Sequence, residues 1–354
     1  MQDQRFYVLR PIGYSCGEVI KNILEGKFTM RRFIAGLIAV IAAVGLTAAG
    51  AQDKKTTRIS ISTGGTGGVY YPLGGGLAAM LSKYVPGVEA TAEVTAGSIA
   101  NLQLIGGGKS EVGFTMADAA WDAVNGFDKF TGHKVALRTL VVFYPNRMHV
   151  VTVEGSGINT MKDLKGKRVS TGAPVSGTEV TAMRLIEAFG MDPNKDMTRE
   201  RLSVAESVSA LKDGKIDALF WVGGVPTPSI TDLAATPGKT IKLIDHGDGA
   251  ENMRKKFGPI YVKNRILANA YPGETRDTTN IDVWNLLVVP ADADENLVYQ
   301  ITKMMFEKKD ELVRVHKDAS FLELANQATG ASPIPFHPGA ARYLKERGIT
   351  VNVK

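Results

Sequence analysis

Ile59-Ser60-Ile61-Ser62-Thr63-Gly64-Gly65-Thr66-Gly67-Gly68-Val69-Tyr70-Tyr71-Pro72-Leu73 reads as strand, loop and helix in immediate succession. Alternating β-branched residues mark a short strand, and four glycines with two threonines make a tight loop. Pro72 sits where the first turn of a helix begins, a position that tolerates its missing N–H. Val69, Leu73, Leu77, Met80, Leu81 and Tyr84 then share one helical face until Pro86-Gly87 stops the run. Glycines admit close approach of a ligand to the backbone, and the unpaired N–H groups and positive dipole end of the new helix favour an anion there. The loop lacks the lysine of a P-loop and the spacing of GxGxxG, which argues against a nucleotide. The plainer alternative is a glycine-rich turn that only joins strand to helix.

The same design recurs along the chain. Glu89 to Thr95 alternates like a strand, and Gly97-Ser98 leads into Ile99, Leu102 and Ile105, an amphipathic segment ending at Gly106-Gly107-Gly108. Glu111 to Thr115 is a third strand, Asp118 to Val124 a third helix with Trp121 on its core face, and Leu140 to Phe143 a fourth strand. Short strands alternating with helices predict a parallel α/β sheet, in which ligands sit beyond the carboxyl ends of the strands. Thr63 to Tyr71, Thr95 to Asn101 and Thr115 to Asp118 therefore gather at one edge.

Met148 to Val153 resumes an extended pattern, and a domain boundary is expected between Tyr144 and Thr152. A short helix at Met161 to Leu164 leads through Gly166 into the strand Arg168 to Thr171. Gly172-Ala173-Pro174-Val175-Ser176-Gly177-Thr178-Glu179 then precedes a helix carrying Val180, Met183, Leu185, Ile186 and Phe189. Ser176 or Thr178 can cap it, and their hydroxyls with the free N–H groups suit a carboxylate; capping alone is the plainer reading. Leu202 to Val204 reads as a strand, Ala205 to Asp213 as a helix, and Ile216 to Trp221 as a strand ending in Gly223-Gly224 at the ligand edge. Trp221 can serve the core or stack on a ligand. Ile241 to Ile244 and Val283 to Val289 are strands, and Asp294 to His316 is one long helix. Phe321 to Gln327 and Gly339 to Arg347 are short helices, while Asp245 to Asn280 has no clear assignment.

The first residues stand apart. Met30-Arg31-Arg32, the apolar run Phe33 to Leu46 and the small residues Ala49-Gly50-Ala51 have the three regions of a secretory signal. The run is shorter than the roughly 20 residues that span a bilayer. Cleavage after Ala51 and a periplasmic location are expected, with residues 1–29 a gene-start artefact. Six basic and three acidic residues leave with the signal, so the formal charge of +6 falls to +3. That mild excess, without a long basic run, does not imply nucleic acid. The only cysteine, Cys16, leaves too, so the mature chain must hold together without disulfides.

Gly64-Gly65-Thr66-Gly67-Gly68-Val69-Tyr70-Tyr71-Pro72-Leu73-Gly74, Thr95-Ala96-Gly97-Ser98 with Asn101-Leu102, Leu164 to Val169, Ser176-Gly177-Thr178, Leu211 to Ala218 and Tyr271-Pro272-Gly273 together resemble the TAXI family of TRAP-transporter solute receptors. The resemblance implies a two-lobed α/β periplasmic binding protein of type II topology, with a ligand cleft between lobes joined by a hinge. The lobes are expected at residues 52–147, completed by part of 275–354, and at 148–274. The resemblance also implies integral-membrane TRAP permease subunits, driven by an ion gradient, as partner. The ligand it implies is a small organic anion of amino-acid or dicarboxylate type, glutamate among them. Relatives often carry Gln where this chain has Met116, which removes a polar contact.

The candidate ligand-binding residues are Gly64, Gly65, Thr66, Gly67, Gly68, Tyr70, Tyr71, Thr95, Gly97, Ser98, Asn101, Met116, Asp118, Ser176, Gly177, Thr178, Trp221 and Gly223. Tyr70 or Tyr71 would form an apolar wall with a hydrogen-bonding tip. No arginine lies in the glycine-rich loops, and Arg147 and Arg168 are read as facing solvent. No cofactor, metal or catalytic residue is expected. A receptor of an ATP-driven importer would share the fold and differ in its partner. A serine-dependent periplasmic enzyme would need Ser98 or Ser176 beside one of His133, His149, His246, His316 or His337, yet there is no GxSxG elbow or HExxH.

Overall fold

The structure, a computed structural model, describes residues 56–354; the expected signal and its cleavage site lie outside them. Strand β1 (Thr57–Ser62) buries Ile59 and Ile61 and leads through the glycine loop into α1 (Tyr70–Tyr84). Helix α1 begins two residues before Pro72 and turns Leu73, Leu77, Met80 and Leu81 inward. β2 (Val88–Glu93), α2 (Ser98–Gly106), β3 (Val112–Met116) and α3 (Ala117–Asn125) continue the alternation. β1 pairs in parallel with β2 on one side and β3 on the other.

Trp121 departs from expectation, being 38% exposed on α3. The buried face of that helix carries Ala117, Ala119, Ala120 and Ala123 with Asp118 and Asp122. Small side chains allow close packing there, and the two aspartates have a partner across the molecule, so the bulky indole is turned outward.

Two long strands connect the halves of the molecule. β4 (Leu137–Val153) pairs antiparallel with β10 (Thr278–Pro290), which also pairs antiparallel with β3. The end of β4 from Arg147 leaves the first half and pairs with β7 (Ala218–Gly223) and β8 (Ile241–Leu243). β5 (Arg168–Ser170) lies parallel between β7 and β6 (Thr198–Glu200), and β9 (Val262–Ile266) pairs with the start of β10. The sheet is therefore mixed rather than all parallel: β2-β1-β3 and β7-β5-β6 flank the antiparallel pair of β10 and β4. The boundary expected between Tyr144 and Thr152 falls inside continuous β4. Register shifts in β10 after Trp284 and Leu287 mark where the paired strands bend.

Helices α4 (Gly177–Ala188), α5 (Val204–Lys212), α6 (Pro228–Ala234) and α7 (Ala250–Phe257) cover the second half. The strand expected at Leu202 to Val204 is absent from that place, because Ser203 and Glu206 form a reciprocal capping box that starts α5 at Val204. The long helix expected from Asp294 to His316 is two helices, α8 (Glu295–Glu307) and α9 (Lys309–Val315). The break at Lys308 lets Leu312 reach the core that α1 and α8 share. α10 (Pro338–Glu346) closes the chain and packs on α8.

Each half has its own apolar cluster. Ile59, Ile61, Leu73 and Leu77 meet Val141, Phe143, Leu287, Ile301 and Met305 in the first. Val151, Val208, Leu219, Ile230, Leu243 and Tyr271 form another in the second. A further cluster crosses between them, joining Ile99, Leu102, Met116 and Ala120 to Val180, Leu185, Phe220 and Tyr261.

Candidate functional site: an inter-lobe cavity and a charged seam

Four helices open their N-termini onto one cavity. Val69 and Tyr70 of α1 and Gly97 and Ser98 of α2 line it from the first half. Ser176 and Gly177 of α4 and Ser203 and Val204 of α5 line it from the second. First-turn N–H groups have no acceptor within their own helix, so each terminus brings unpaired donors and about half a positive charge. The cavity measures ≈ 70 Å³ to the centre of a water-sized sphere. At about 10–15 Å³ per water on that measure, it suits a solute of a few heavy atoms and not a peptide or nucleotide.

Three hydroxyls at the cavity each accept a hydrogen bond from the fold, and the Tyr70 phenol also has Ser98 and Asn285 as hydrogen-bond partners. Ser98 Oγ accepts from the Met116 N–H at 3.1 Å, Thr178 Oγ1 from the Val222 N–H at 3.4 Å, and Tyr70 Oη from Asn146 at 3.3 Å. Burial pushes the Tyr70 phenol up to about 12, so it stays protonated and donates. Other hydroxyls are committed to the fold. Ser176 accepts from the Glu179 N–H at 3.0 Å and donates to the Ala173 carbonyl at 2.7 Å, which makes Ser176 and not Thr178 the cap of α4. Thr95 donates to Asn101 at 2.6 Å and accepts from the Gly97 N–H.

Glycines permit the two lobes to meet at this cavity. A Cβ on Gly177 would run into Met116 Cε and lie 2.7 Å from Ser98 Oγ. A Cβ on Gly68 would lie 2.9 Å from the Trp221 ring, and the Gly67 carbonyl accepts from the Ser229 N–H at 3.2 Å. The Ala100 N–H reaches the Val175 carbonyl at 3.1 Å from the other side. Trp221 gives its own N–H to Thr227 at 2.7 Å, so it forms a wall and offers no donor.

Of the candidate residues, Gly64, Gly65, Gly68, Tyr70, Thr95, Gly97, Ser98, Met116, Ser176, Gly177, Thr178, Trp221 and Gly223 line the cavity, and five do not. Thr66 is exposed and Gly67 touches the other lobe. Tyr71 is 37% exposed, because one step along a helix turns it about 100° from Tyr70. Asn101 is buried and ties the Thr63 carbonyl at 2.6 Å to the Phe114 carbonyl at 2.7 Å, holding two strand ends in place. Asp118 lies behind the cavity in a charged seam. Arg147 is not in solvent either: it is largely buried and pairs with Asp318 at 3.5 Å. Arg168 pairs with Asp217 at 2.6 Å on the surface.

The seam joins α3 to α4. Asp118 accepts from Thr181 at 3.0 Å and from Tyr261 at 2.8 Å, and Arg184 lies 3.6 Å from it. Arg184 also donates to Asp122 at 2.5 Å and to Tyr261 at 2.9 Å. Burial pushes the Asp122 carboxyl up to about 6, an effect that Arg184 only partly offsets. Buried charges of this kind persist only when paired.

The cavity residues missed in sequence include Ala96, Gly172, Ser203, Val204, Phe220 and Val222. Ser203-Val204-Ala205-Glu206 carried a legible signal, the capping box, that would have placed a fourth helix N-terminus there. Among the described residues, no Asp, Glu, His or Cys lines the cavity, so neither Ser98 nor Ser176 has a base beside it there. His149, lowered to about 3 by burial, bonds Tyr271 instead, and His337 caps α10. No group of three potential metal ligands occurs among the described residues, and none of their helices is long and apolar enough to cross a membrane.

A small cavity held between two halves that share two long strands defines a two-lobed α/β fold. The chain belongs to the NMT1-like family, whose model matches residues 61–348. Among solved structures it resembles the periplasmic aliphatic sulphonate binding protein SsuA of Escherichia coli, with 15% identity over 82% of this chain and 90% of that one and a TM-score of 0.43. It also resembles a putative L-cystine ABC transporter protein of Listeria monocytogenes, with 17% identity, 75% and 96% covered and a TM-score of 0.45. A third is an ancestral arginine-binding protein bound to arginine, with 14% identity, 74% and 98% covered and a TM-score of 0.46.

Proposed function

We propose that this chain is an exported receptor that closes on a small organic anion and hands it to an integral-membrane importer. The observation that carries this reading is the convergence of four helix N-termini on one small cavity. Their summed dipole ends amount to about +2, enough to balance one or two negative charges. The backbone of Gly64 and Gly65, the first-turn N–H groups and the hydroxyls of Tyr70, Ser98 and Thr178 are assigned to the anion; Met116, Phe220 and Trp221 form the apolar wall. The lobes are residues 52–147 with part of 275–354, and 148–274, and β4 and β10 serve as the hinge between them. Export to the periplasm rests on the signal-like segment Met30 to Ala51.

The importer has two readings. An ATP-driven importer is supported by the likeness to a putative L-cystine ABC transporter protein, and a TRAP permease by the loop motifs of Gly64 to Gly74 and Thr95 to Leu102. Uptake that requires ATP hydrolysis supports the first, and uptake driven by an imposed ion gradient without ATP supports the second.

Binding itself is tested by thermal unfolding of the purified chain against carboxylates, sulfonates, amino acids, sugars and amines. A ligand at 100 times its dissociation constant adds about 2.7 kcal/mol to the unfolding free energy. A shift with one anion class supports the receptor reading; shifts confined to neutral or cationic compounds overturn it.

A further inference from the structure

We infer that the anion carries no ammonium group: the ligand is a carboxylate or sulfonate on a short uncharged body, not an amino acid. This rests on the anion-receptor reading above and narrows it. The groups that meet a ligand here are neutral: the first-turn N–H groups, which are donors, and the Ser98, Thr178 and Tyr70 hydroxyls, each of which already accepts one hydrogen bond from the fold. The backbone carbonyls about the cavity are neutral, and each of these already accepts one hydrogen bond. The Gly65 carbonyl accepts from the Gly68 N–H at 3.0 Å and the Gly97 carbonyl from the Asn101 N–H at 2.9 Å. The Ala173 carbonyl accepts from Ser176, and the strand-end carbonyls of Thr63 and Phe114 accept from the Asn101 amide.

No carboxylate compensates. Among the described residues lining the cavity none is Asp or Glu. Asp118, the acid adjoining it in sequence, has Thr181, Tyr261 and Arg184 around its Oδ2. Aromatic faces are the other partner for a cation, and two of these are occupied. Tyr70 packs on Phe114 with ring centroids 5.1 Å apart, and Trp221 lies against Gly68 and Gly223. An ammonium here would lose its water, gain no charged partner and face the positive ends of four helices.

Calorimetric titration of the full chain with pairs that differ in the amino group tests this: propanoate and alanine, succinate and aspartate, glutarate and glutamate, ethanesulfonate and taurine. The expected result is that at least one ammonium-free member binds about 100-fold or more tightly than its amino partner. An amino acid that binds as tightly as its ammonium-free partner, or more tightly, overturns the inference and leaves the anion receptor standing. Binding of sugars or amines with no binding by any anion overturns both. Silence across all four pairs also overturns the inference, because propanoate and ethanesulfonate are small enough for the cavity and carry the anion it is argued to hold.

Discussion

The cavity and the seam cross the same gap between lobes with opposite chemistry. The cavity offers dipoles and hydroxyls, and among the described residues no ionisable acid or base lines it except the Tyr70 phenol. The seam buries Asp118 at 1%, Asp122 at 5% and Arg184 at 9% exposure and satisfies them with each other, Thr181 and Tyr261. Dipole donors are weak partners singly and release a ligand when the lobes part. A salt-bridged seam has a preferred geometry only when α3 and α4 are together. On the function proposed above, the first region serves recognition and the second closure.

Breaking the seam has the largest expected effect. Arg184→Met leaves two carboxylates buried without their cation, a loss of about 3–5 kcal/mol. The closed form should be lost, with affinity for any identified ligand falling at least about 100-fold and small-angle scattering reporting a larger radius of gyration. Unchanged affinity would show that the seam has no part in closure.

Overpacking the contact between lobes comes next. Gly177→Ala places a methyl against Met116 Cε, and such a clash costs about 1–3 kcal/mol, or roughly 5- to 150-fold in affinity. Met116→Ala in the same chain should restore much of it. If the double variant binds no better than Gly177→Ala alone, the two side chains do not compete for one space.

Thr178→Val separates recognition from folding. The hydroxyl does not cap α4, and the bond it accepts from the Val222 N–H is long at 3.4 Å, so stability should fall by no more than about 1 kcal/mol. Losing one hydrogen bond to an anion should weaken binding by about 1.5–3 kcal/mol. Tyr71→Ala is the outward control and should stay within about twofold. A large loss of stability with affinity intact would reassign Thr178 to the fold.

The smallest expected effect is on pH dependence. Asp122 has a folded pKa of about 6, raised from 3.8. A raised carboxyl binds its proton earlier in the folded state, so its contribution to stability grows as pH falls through about 6 and is lost as pH rises past it. Arg184, Asp118 and Asp128 are the charges that face it. Relative to Asp122→Asn, the wild-type chain should gain about 1 kcal/mol in unfolding free energy between pH 7.5 and 5. A gap that does not change with pH would remove Asp122 as a titrating member of the seam.

Local chemistry was legible where one element carried its own signal. The glycine loop before α1, the apolar face of Leu73, Leu77, Met80 and Leu81, and the cap at Ser176 all depend on neighbours within a few residues, which a sequence displays. Most cavity residues followed from that, because loops at the carboxyl ends of parallel strands collect at one edge. The segment from Asp245 to Asn280 was not legible, since α7 buries only Ala250 and Met253 and β9 is exposed through most of its length, so neither carries a periodic apolar pattern. Trp121 was misread because the reason it faces outward, the pairing of Asp118 and Asp122 with Arg184, lies some 60 positions away in the chain.

By itself, then, the sequence determined the alternation of strands and helices and the glycine- and hydroxyl-rich turns between them, because each follows from short-range backbone and side-chain chemistry. The mixed sheet, the passage of β4 and β10 through both halves, the fourth helix at the cavity and the seam of Asp118, Asp122, Arg184 and Tyr261 were decided only by tertiary structure. Those features depend on which distant surfaces come together, where burial, pairing and crowding set the energy and sequence proximity does not.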